Sequence, residues 1–218
     1  MTERVKNGLK PSITKDEFEW ICLGGLLHDL GHGPASHTFD DLIEELIEQN
    51  LITNTKWRTH EERSRDLFRY MVKEDNINIS QEGVDYICNI INPPTEFHHD
   101  FRFQFVNNEV NGVDADKMDY ICRDCMVFGI ASHVNIERII DNSSIVYDDT
   151  NTVFGTYWSF SERVKNEVFN LFMMRYQLYR DIYNHPKVIK FEIAYKAVLM
   201  NNVNVIMDCF NTNDIDAF

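Results

Sequence analysis

The segment HDLGHGPASH, residues 28–37, carries three histidines and one aspartate within ten positions, interrupted by two glycines and one proline. Imidazole nitrogens and carboxylate oxygens are suitable ligands for divalent transition metals such as Mn, Fe, Co, Ni or Zn. The adjacent His28 and Asp29 are therefore candidate metal ligands, although a hydrolytic site needs further ligands and one open position. Taken alone, such a pair is more often a local hydrogen-bonded pair, so the rest of the chain has to decide between these interpretations.

Capping signals and apolar spacing predict a mostly helical chain around this segment. Thr14 with Glu17 and Thr59 with Glu62 have the spacing of capping boxes, and Ser80 marks another helix start. Apolar residues at helical spacing predict helices that begin near positions 14, 34, 59, 80, 114, 161 and 187. The sequence therefore predicts a mostly α helical bundle that forms one domain over residues 1–218.

Breaks and turns refine this prediction. Gly31 and Gly33 are expected to end the first helix, and Pro34 suits the first turn of the next helix. Residues 144–158 predict a small β-hairpin around a turn at residues 148–151. A helix that starts at Ser161 is expected to continue to about residue 184, where Pro186 breaks it.

Composition excludes several classes of protein. Hydrophobic residues make up 44% of the 218 residues, which predicts a packed globular domain rather than a disordered chain. No apolar stretch approaches the roughly 20 residues of a membrane helix, and the N-terminus lacks an apolar signal core, so we expect an intracellular protein without a membrane partner. A formal charge of -14 argues against a general nucleic-acid surface, whereas local cations can still recruit a small phosphorylated ligand.

The five cysteines are an odd number, and most of them fall on apolar helix faces. We therefore expect reduced, buried thiols. Cys122 and Cys125 have the spacing of a zinc or redox pair, but no second pair accompanies them. Because a structural zinc site needs four ligands, the pattern favours a structural role.

Two stripes of polar and aromatic residues recur at four-residue spacing, so each shares one helix face. They consist of Asp116, Tyr120 and Asp124 in the first stripe, and of Arg175, Tyr179 and Tyr183 in the second. Taken alone, the first is typical of a solvated helix face. The second is as typical of core aromatic residues, with one arginine that reaches outward, as it is of a binding site.

Four blocks of sequence together resemble the HD-domain deoxynucleoside triphosphate triphosphohydrolases, most of all the eukaryotic type that combines SAM and HD domains. The blocks are HDLGHGPASHTFD, WRTHEERS at 57–64, NGVDADKMDYICRD at 111–124 and MRYQLYRDIYNH at 174–185. The resemblance runs from about residue 20 to 195. It implies an HD-domain helical bundle that hydrolyses deoxynucleoside triphosphates such as dGTP to deoxynucleoside and inorganic triphosphate.

The resemblance also implies a metal centre. His28, Asp29 and Asp116 correspond to the family's metal ligands, and the metal is expected to be Fe, Mn or Zn. Mg²⁺ is expected to accompany the nucleotide triphosphate.

Catalytic and substrate-binding roles are carried over in the same way. His60 corresponds to the catalytic histidine that protonates the departing 5′-oxygen, Asp40 would orient it, and His37 lies in the same catalytic pocket. The implied substrate-binding residues are His32, Lys117, Tyr120, Asp124, Arg175 and Tyr183. Among these, the cations and His32 would meet phosphate oxygens, Tyr120 and Asp124 the sugar, and Tyr183 the nucleoside.

The family normally adds a metal-ligand histidine from an earlier helix, but no histidine precedes His28. Two explanations stay open: an incomplete copy that lacks the N-terminal part of the family domain and the C-terminal lobe, or a short protein with an impaired site. The alternative functions are another HD phosphohydrolase, such as a nucleotidase or phosphodiesterase, and a non-catalytic nucleotide-binding partner. The resemblance leaves open a homo-oligomer and a location in the nucleus or the cytoplasm.

Overall fold

The structure is a computed structural model that describes residues 12–148, 155–212 and 215. It is mostly helical with one antiparallel β-hairpin, so the predicted fold class is confirmed. The helices are α1 (Lys15–Leu27), α2 (His37–Glu48), α3 (His60–Glu74), α4 (Gln81–Ile91), α5 (Ala115–Val127), α6 (Ile136–Asp141), α7 (Lys165–Leu178), α8 (Pro186–Met200) and α9 (Val203–Thr212). Strands β1 (Ser143–Asp148) and β2 (Gly155–Phe160) form the hairpin, whose register pairs Ser143 with Phe160.

The fold divides into two compact units. We call the described residues up to Gly25 and within Pro93–Tyr183 the tyrosine unit, and the described residues within Leu26–Asn92 and from Asn184 onward the histidine unit. The prediction that residues 1–218 form one domain concerns both units together, and it stays a prediction.

The helix starts predicted from the sequence at Thr14 and Thr59 are confirmed. The amide of Thr14 donates to Glu17 Oε2 at 2.8 Å, and the Glu17 amide donates to Thr14 Oγ1 at 3.1 Å. Thr59 and Glu62 form the same reciprocal capping box at the start of α3. These caps satisfy amides that have no acceptor within the first turn of a helix, so they fix where α1 and α3 begin.

The core of the histidine unit is built on the apolar stripe of α2. Its fully buried residues are Leu42, Ile43 and Leu46. They pack in one cluster with Trp57 and with Phe210 of α9. Helix α9 was not predicted, because polar residues interrupt the short apolar stripe of its sequence, VNVIMDCFNT.

The core of the tyrosine unit joins two helices and one strand. Ile121 and Cys125 of α5, Leu171 and Leu178 of α7 and Trp158 of β2 belong to one buried cluster. The predicted hairpin is confirmed for its two strands. The predicted turn includes residues 149–151, which lie outside the described residues.

One predicted helix start is wrong. Helix α2 begins at His37 and not at Pro34, because Ala35 and Ser36 adopt left-handed backbone conformations with φ of 62° and 49°. The helical segment expected between Ser161 and about residue 184 is confirmed, although it is not one continuous α-helix. Ser161 caps a 3-10 turn, Glu162–Val164, which leads into α7, and α7 passes into a π-helical turn, Tyr179–Tyr183, before α8.

All five cysteines lie in the described part of the chain, and none forms a disulfide there. Cys88 and Cys125 are buried as expected, whereas Cys22 is exposed, so the expectation of burial is wrong for that residue. Within the same described residues, no helix combines the length and the apolar character needed to cross a membrane.

Gly31 does not act as a helix cap, because α1 already ends at Leu27. Its function is close approach to α3. A Cβ atom at this position would lie 2.3 Å from the carbonyl oxygen of His60 and 2.4 Å from the amide nitrogen of Ser64. Both atoms belong to the backbone and cannot rotate away, so only glycine lets the turn lie directly on α3.

Gly31→Ala should therefore lower the free energy of unfolding by about 2–3 kcal/mol, the range of a severe steric overlap. Gly25→Ala is the matched control, since its Cβ would meet Val106 Cγ2 at an ordinary 3.4 Å. It should change stability by less than about 1 kcal/mol. Urea unfolding measures both variants, and equal stability of the two would contradict the proposed contact.

Candidate active site

The turn that carries His28 and Asp29 is held on the first turn of α3 by three hydrogen bonds. Ser64 Oγ donates to the carbonyl oxygen of His28 at 2.6 Å and accepts from the Gly31 amide at 2.8 Å. Arg63 Nε donates to the carbonyl oxygen of Gly31 at 2.7 Å. Because α3 also begins with His60, the same contacts place His60 beside the His28–Asp29 turn.

Three imidazole nitrogens lie close to the Asp29 carboxylate. Its Oδ1 lies 3.2 Å from His28 Nε2, 3.4 Å from His32 Nε2 and 4.0 Å from His60 Nε2. The hydrogen bond from His32 lowers the pKa of Asp29 below its ordinary value. The carboxylate is therefore ionised at neutral pH and available as a ligand.

A second carboxylate, Asp40 in the first turn of α2, supports His60 from the other side. Its Oδ2 lies 2.9 Å from His60 Nδ1, and its Oδ1 forms an ion pair with Arg63 Nη2. Burial alone would raise the pKa of this carboxyl group, but its imidazole and guanidinium partners hold that pKa well below its usual range. An ionised Asp40 favours the His60 tautomer that carries a proton on Nδ1, which leaves Nε2 on the side of Asp29.

Two further imidazoles surround this pair. His32 stacks on His60 with ring centroids 3.9 Å apart, and His37 meets His32 edge-on at 5.1 Å. His37 Nδ1 lies 3.7 Å from Asp40 Oδ2, and this carboxylate raises the pKa of His37 above its ordinary value. The side chain of His37 is 79% exposed, so it can meet a ligand that arrives from solvent.

Arg63 was given no role by sequence reasoning, yet it organises the site. Its side chain is 1% exposed. Nη1 donates to the carbonyl oxygen of Trp57 at 2.9 Å, while Nε and Nη2 bind Gly31 and Asp40. Its spacing of three residues from His60, on a helix with a capping box, was the signal that could have placed it on the same face.

His28 and Asp29 fit a shared divalent metal. Two ligands bound to one ion at about 2.0–2.2 Å lie about 3–3.5 Å apart, and the 3.2 Å between His28 Nε2 and Asp29 Oδ1 agrees with this spacing. The nitrogen and oxygen donors suit Fe, Mn and Zn alike. Asp116, the third predicted ligand, lies in the first turn of α5 in the tyrosine unit. That it completes this ligand set stays a prediction.

The tyrosine unit brings together the residues of the two predicted stripes. Arg175 Nε donates to Tyr120 Oη at 3.0 Å, and the guanidinium carbon lies 4.5 Å from the ring centroid of Tyr179. Tyr183 Oη donates to Asp124 Oδ2 at 2.5 Å. The stripes on α5 and on α7 with its π-helical turn therefore face each other, and these hydrogen bonds hold their polar atoms in fixed positions.

Burial and the charges nearby change the acidity of this group. Burial raises the pKa of Tyr120, and burial together with the Asp124 carboxylate raises the pKa of Tyr183. Both phenols therefore stay protonated and can donate hydrogen bonds.

Lys117 Nζ lies 2.8 Å from Oδ2 of the buried Asp114, a residue that also caps α5. The predicted phosphate ligand Lys117 thus has an acidic partner that sequence reasoning did not assign to it.

Comparison with known proteins adds an independent observation. No protein-family model matches the chain. It is 31% identical over 203 residues to an HD domain-containing protein of Acanthamoeba polyphaga mimivirus, across 92% of this chain and 41% of that protein. It is 28% identical over 188 residues to the deoxynucleoside triphosphate triphosphohydrolase SAMHD1 homolog of Dictyostelium discoideum, across 84% of this chain and 34% of that protein. For human SAMHD1 the identity is 28% over 200 residues, across 81% of this chain and 30% of that protein.

The structure and the comparisons agree on the class of protein that this chain resembles. The helical fold and the adjacent His28–Asp29 pair agree with HD domain proteins, and the predicted fold class is confirmed. The more particular similarity is to the SAMHD1 deoxynucleoside triphosphate triphosphohydrolases, in agreement with the resemblance that the sequence motifs indicated. It spans 41% of the length of the mimivirus protein and 30% of the human one.

Arg63→Leu should lower the free energy of unfolding by about 3 kcal/mol or more, because it leaves the largely buried carboxylate of Asp40 without its guanidinium partner. Arg69→Leu, on the same helix, is the matched control: Arg69 is 42% exposed and forms one ion pair with Asp66. It should cost less than about 1 kcal/mol. Urea unfolding of both variants tests this, and a loss for Arg63→Leu no larger than the control would rule out the proposed role of Arg63.

Proposed function

We propose that this chain hydrolyses deoxynucleoside triphosphates, dGTP among them, to deoxynucleoside and inorganic triphosphate. The observation that carries the proposal is the His60–Asp40 pair, 2.9 Å between Nδ1 and Oδ2, next to the His28–Asp29 pair within the histidine unit. Phosphate hydrolysis needs a proton donor for the leaving oxygen beside a centre that stabilises negative charge, and the two pairs would supply both if His28 and Asp29 hold a metal ion. The names of the SAMHD1 relatives support this substrate class.

We assign the metal to His28, Asp29 and Asp116, with Fe, Mn or Zn as the ion. When bound, such a metal supplies a Lewis acid that stabilises charge on the phosphoryl oxygens. Mg²⁺ is the ion we expect on the triphosphate itself, because it prefers phosphate oxygens and water as ligands. The ligand set includes one residue of the tyrosine unit, so this assignment also treats residues 1–218 as one HD-type domain.

His60 has the role of general acid towards the 5′-oxygen. Asp40 keeps the proton on Nδ1, so the proton that is transferred is held at Nε2, the nitrogen on the side of Asp29. Asp40 also stabilises the imidazolium, which offsets the unfavourable effect of the α3 dipole on a cation at its first residue. His37 and His32 contribute to the same pocket, where the raised pKa of His37 favours a cation that can meet phosphate oxygens.

The remaining substrate-binding roles belong to the tyrosine unit. Arg175 presents a planar guanidinium whose Nε donates to Tyr120 and whose Nη2 makes a long contact of 3.4 Å with Tyr179 Oη, so a phosphate group would bind Nη1 or replace the Tyr179 contact. Tyr120 and Asp124 are assigned to the sugar, and Tyr183 to the nucleoside pocket. Lys117 would exchange or share its Asp114 partner when it meets a phosphate oxygen.

The direct test incubates the purified chain with dGTP, Mg²⁺ and Mn²⁺ and separates the products by anion-exchange chromatography. Deoxyguanosine and inorganic triphosphate should appear in equal amounts, because attack at the α-phosphorus releases the triphosphate intact. Stepwise release of orthophosphate would instead indicate another type of HD phosphohydrolase. Binding of dGTP without any product would indicate a non-catalytic nucleotide-binding protein.

His60→Gln should reduce the turnover number for dGTP by about 10²- to 10⁴-fold, the usual contribution of general acid catalysis. His133→Gln is the matched control, since His133 is exposed and lies outside the proposed site. Its turnover should equal that of the unaltered chain. If His60→Gln kept full activity, the assignment of the proton donor would be wrong even though the chain hydrolyses dGTP.

A further inference from the structure

We propose that His32, His37, Asp40 and His60 form a second site for a divalent transition metal, with Zn²⁺ as the preferred ion, and that zinc at this site inhibits the enzyme. The site is separate from the His28–Asp29 pair, because it uses neither of those residues. Its inhibitory effect rests on the proposed function, whereas the binding of metal does not.

The four side chains offer ligand atoms that already lie close together. One ligand atom from each residue can be chosen so that all four lie within 4.8 Å of one another. The Nδ1 atoms of His60, His37 and His32 lie 2.9, 3.7 and 3.8 Å from Asp40 Oδ2. Tetrahedral ligands at about 2.0–2.2 Å from one ion are about 3.3–3.6 Å apart, so small rotations of the rings produce the required geometry.

The backbone that carries these ligands is held firmly. His37 and Asp40 lie three residues apart in the first turn of α2, and His60 is the first residue of α3. His32 lies in the turn before α2, which the hydrogen bonds of Gly31 tie to α3. The ligands therefore come from one compact unit and need no folding step to meet.

Arg63 directs the carboxylate of Asp40 towards the site. Its Nη2 pairs with Oδ1, and this leaves Oδ2 as the oxygen that faces the three imidazoles. A metal bound through Oδ2 would therefore keep the Arg63 ion pair. The Asp29 carboxylate, 4.0 Å from His60 Nε2, adds negative charge that favours a cation here.

His32 supplies a second, independent observation. Its Nδ1 is buried and has no hydrogen-bond partner among the described residues. A buried polar atom without a partner is unfavourable, and a metal ligand bond would satisfy it. The nitrogen faces Asp40 Oδ2 at 3.8 Å, a distance that is too long for a hydrogen bond.

The donor set also determines which metal binds. Three imidazoles and one carboxylate suit Zn²⁺ and its neighbours, whereas Mg²⁺ requires oxygen ligands in an octahedron. Magnesium bound to the nucleotide would therefore not compete for this site. His37 is 79% exposed, so an ion can reach the site from solvent.

Zinc in this position would stop proton transfer by His60. An ion on Nδ1 takes the lone pair and displaces the proton that Asp40 holds there, and that proton passes to solvent. The ring can then no longer become an imidazolium, so the remaining proton on Nε2 is far too weakly acidic to be given to a leaving oxygen. Zinc would therefore act as a reversible inhibitor that blocks the general acid.

The decisive experiment counts metal ions and does not depend on activity. The full chain is freed of metal with a chelator and dialysed against Zn²⁺, and the bound zinc is then measured by mass spectrometry. We expect about two tightly bound zinc ions per chain, and about one in either His37→Ala or His28→Ala. His133→Ala, the exposed control, should keep about two. Cobalt titration adds a second readout, because tetrahedral Co²⁺ absorbs strongly in the visible range and His37→Ala should lose part of this absorption.

Zinc counts that do not fall in His37→Ala would overturn the proposed site. The proposal also fails if His28→Ala and His37→Ala each remove all bound zinc, because the residues would then share one site. Circular dichroism confirms that both variants are folded.

Inhibition is tested separately, on dGTP hydrolysis by the chain loaded with Mn²⁺. Added Zn²⁺ should lower turnover of the unaltered chain, and the residual activity of His37→Ala should not respond to zinc. Equal inhibition of both proteins would refute the inhibitory role. A chain that binds two zinc ions but hydrolyses no dGTP would refute the proposed function and leave the second site established.

Discussion

The buried guanidinium of Arg63 is the interaction on which the candidate site depends. A charge that is 1% exposed is tolerated only when partners satisfy it, and here they are the Asp40 carboxylate and the carbonyl oxygens of Gly31 and Trp57. Each partner belongs to a different segment: helix α2, the turn that carries His28, and the chain just before α3. One side chain therefore joins the segments that carry His28, His32, His37 and His60, and the glycine at position 31 lets this approach occur.

The chain is strongly acidic, yet it resembles enzymes whose names specify a polyanionic substrate. The charges close to the candidate site, and not the total charge, explain how this is possible. The formal net charge is -14, but charges separated by more than about 8–10 Å are largely screened at physiological ionic strength. Within the site, ionised Asp29 and Asp40 are surrounded by imidazoles, and the raised pKa of His37 favours its protonated form at the exposed edge. The carboxylates therefore make the site receptive to metal ions and protons, which are the kinds of charge that the proposed phosphate substrate would need.

Local signals predicted the fold where local interactions decide it. The capping boxes at Thr14 and Thr59 and the stripe on α2 were predicted correctly, because caps and i, i+4 contacts involve neighbours in the sequence. The start of α2 was misplaced at Pro34, since proline propensity does not reveal the left-handed turn at Ala35 and Ser36. Helix α9 was missed for a different reason: its stability comes from packing Phe210 onto α2, and no local propensity records such a contact.

The sequence by itself determined the residue types, their spacing, and the resemblance that grouped His28, Asp29, Asp40 and His60 as one candidate site. Only the tertiary structure decided which nitrogen of His60 faces Asp40 and that Arg63 pairs with the same carboxylate. The physical reason is that orientation follows from contacts between segments 20 to 36 residues apart, such as Asp40 with His60 and His28 with Ser64. These contacts exist only after the helices have packed, whereas a helix start or an apolar stripe is already present in the unfolded chain as a pattern of neighbours.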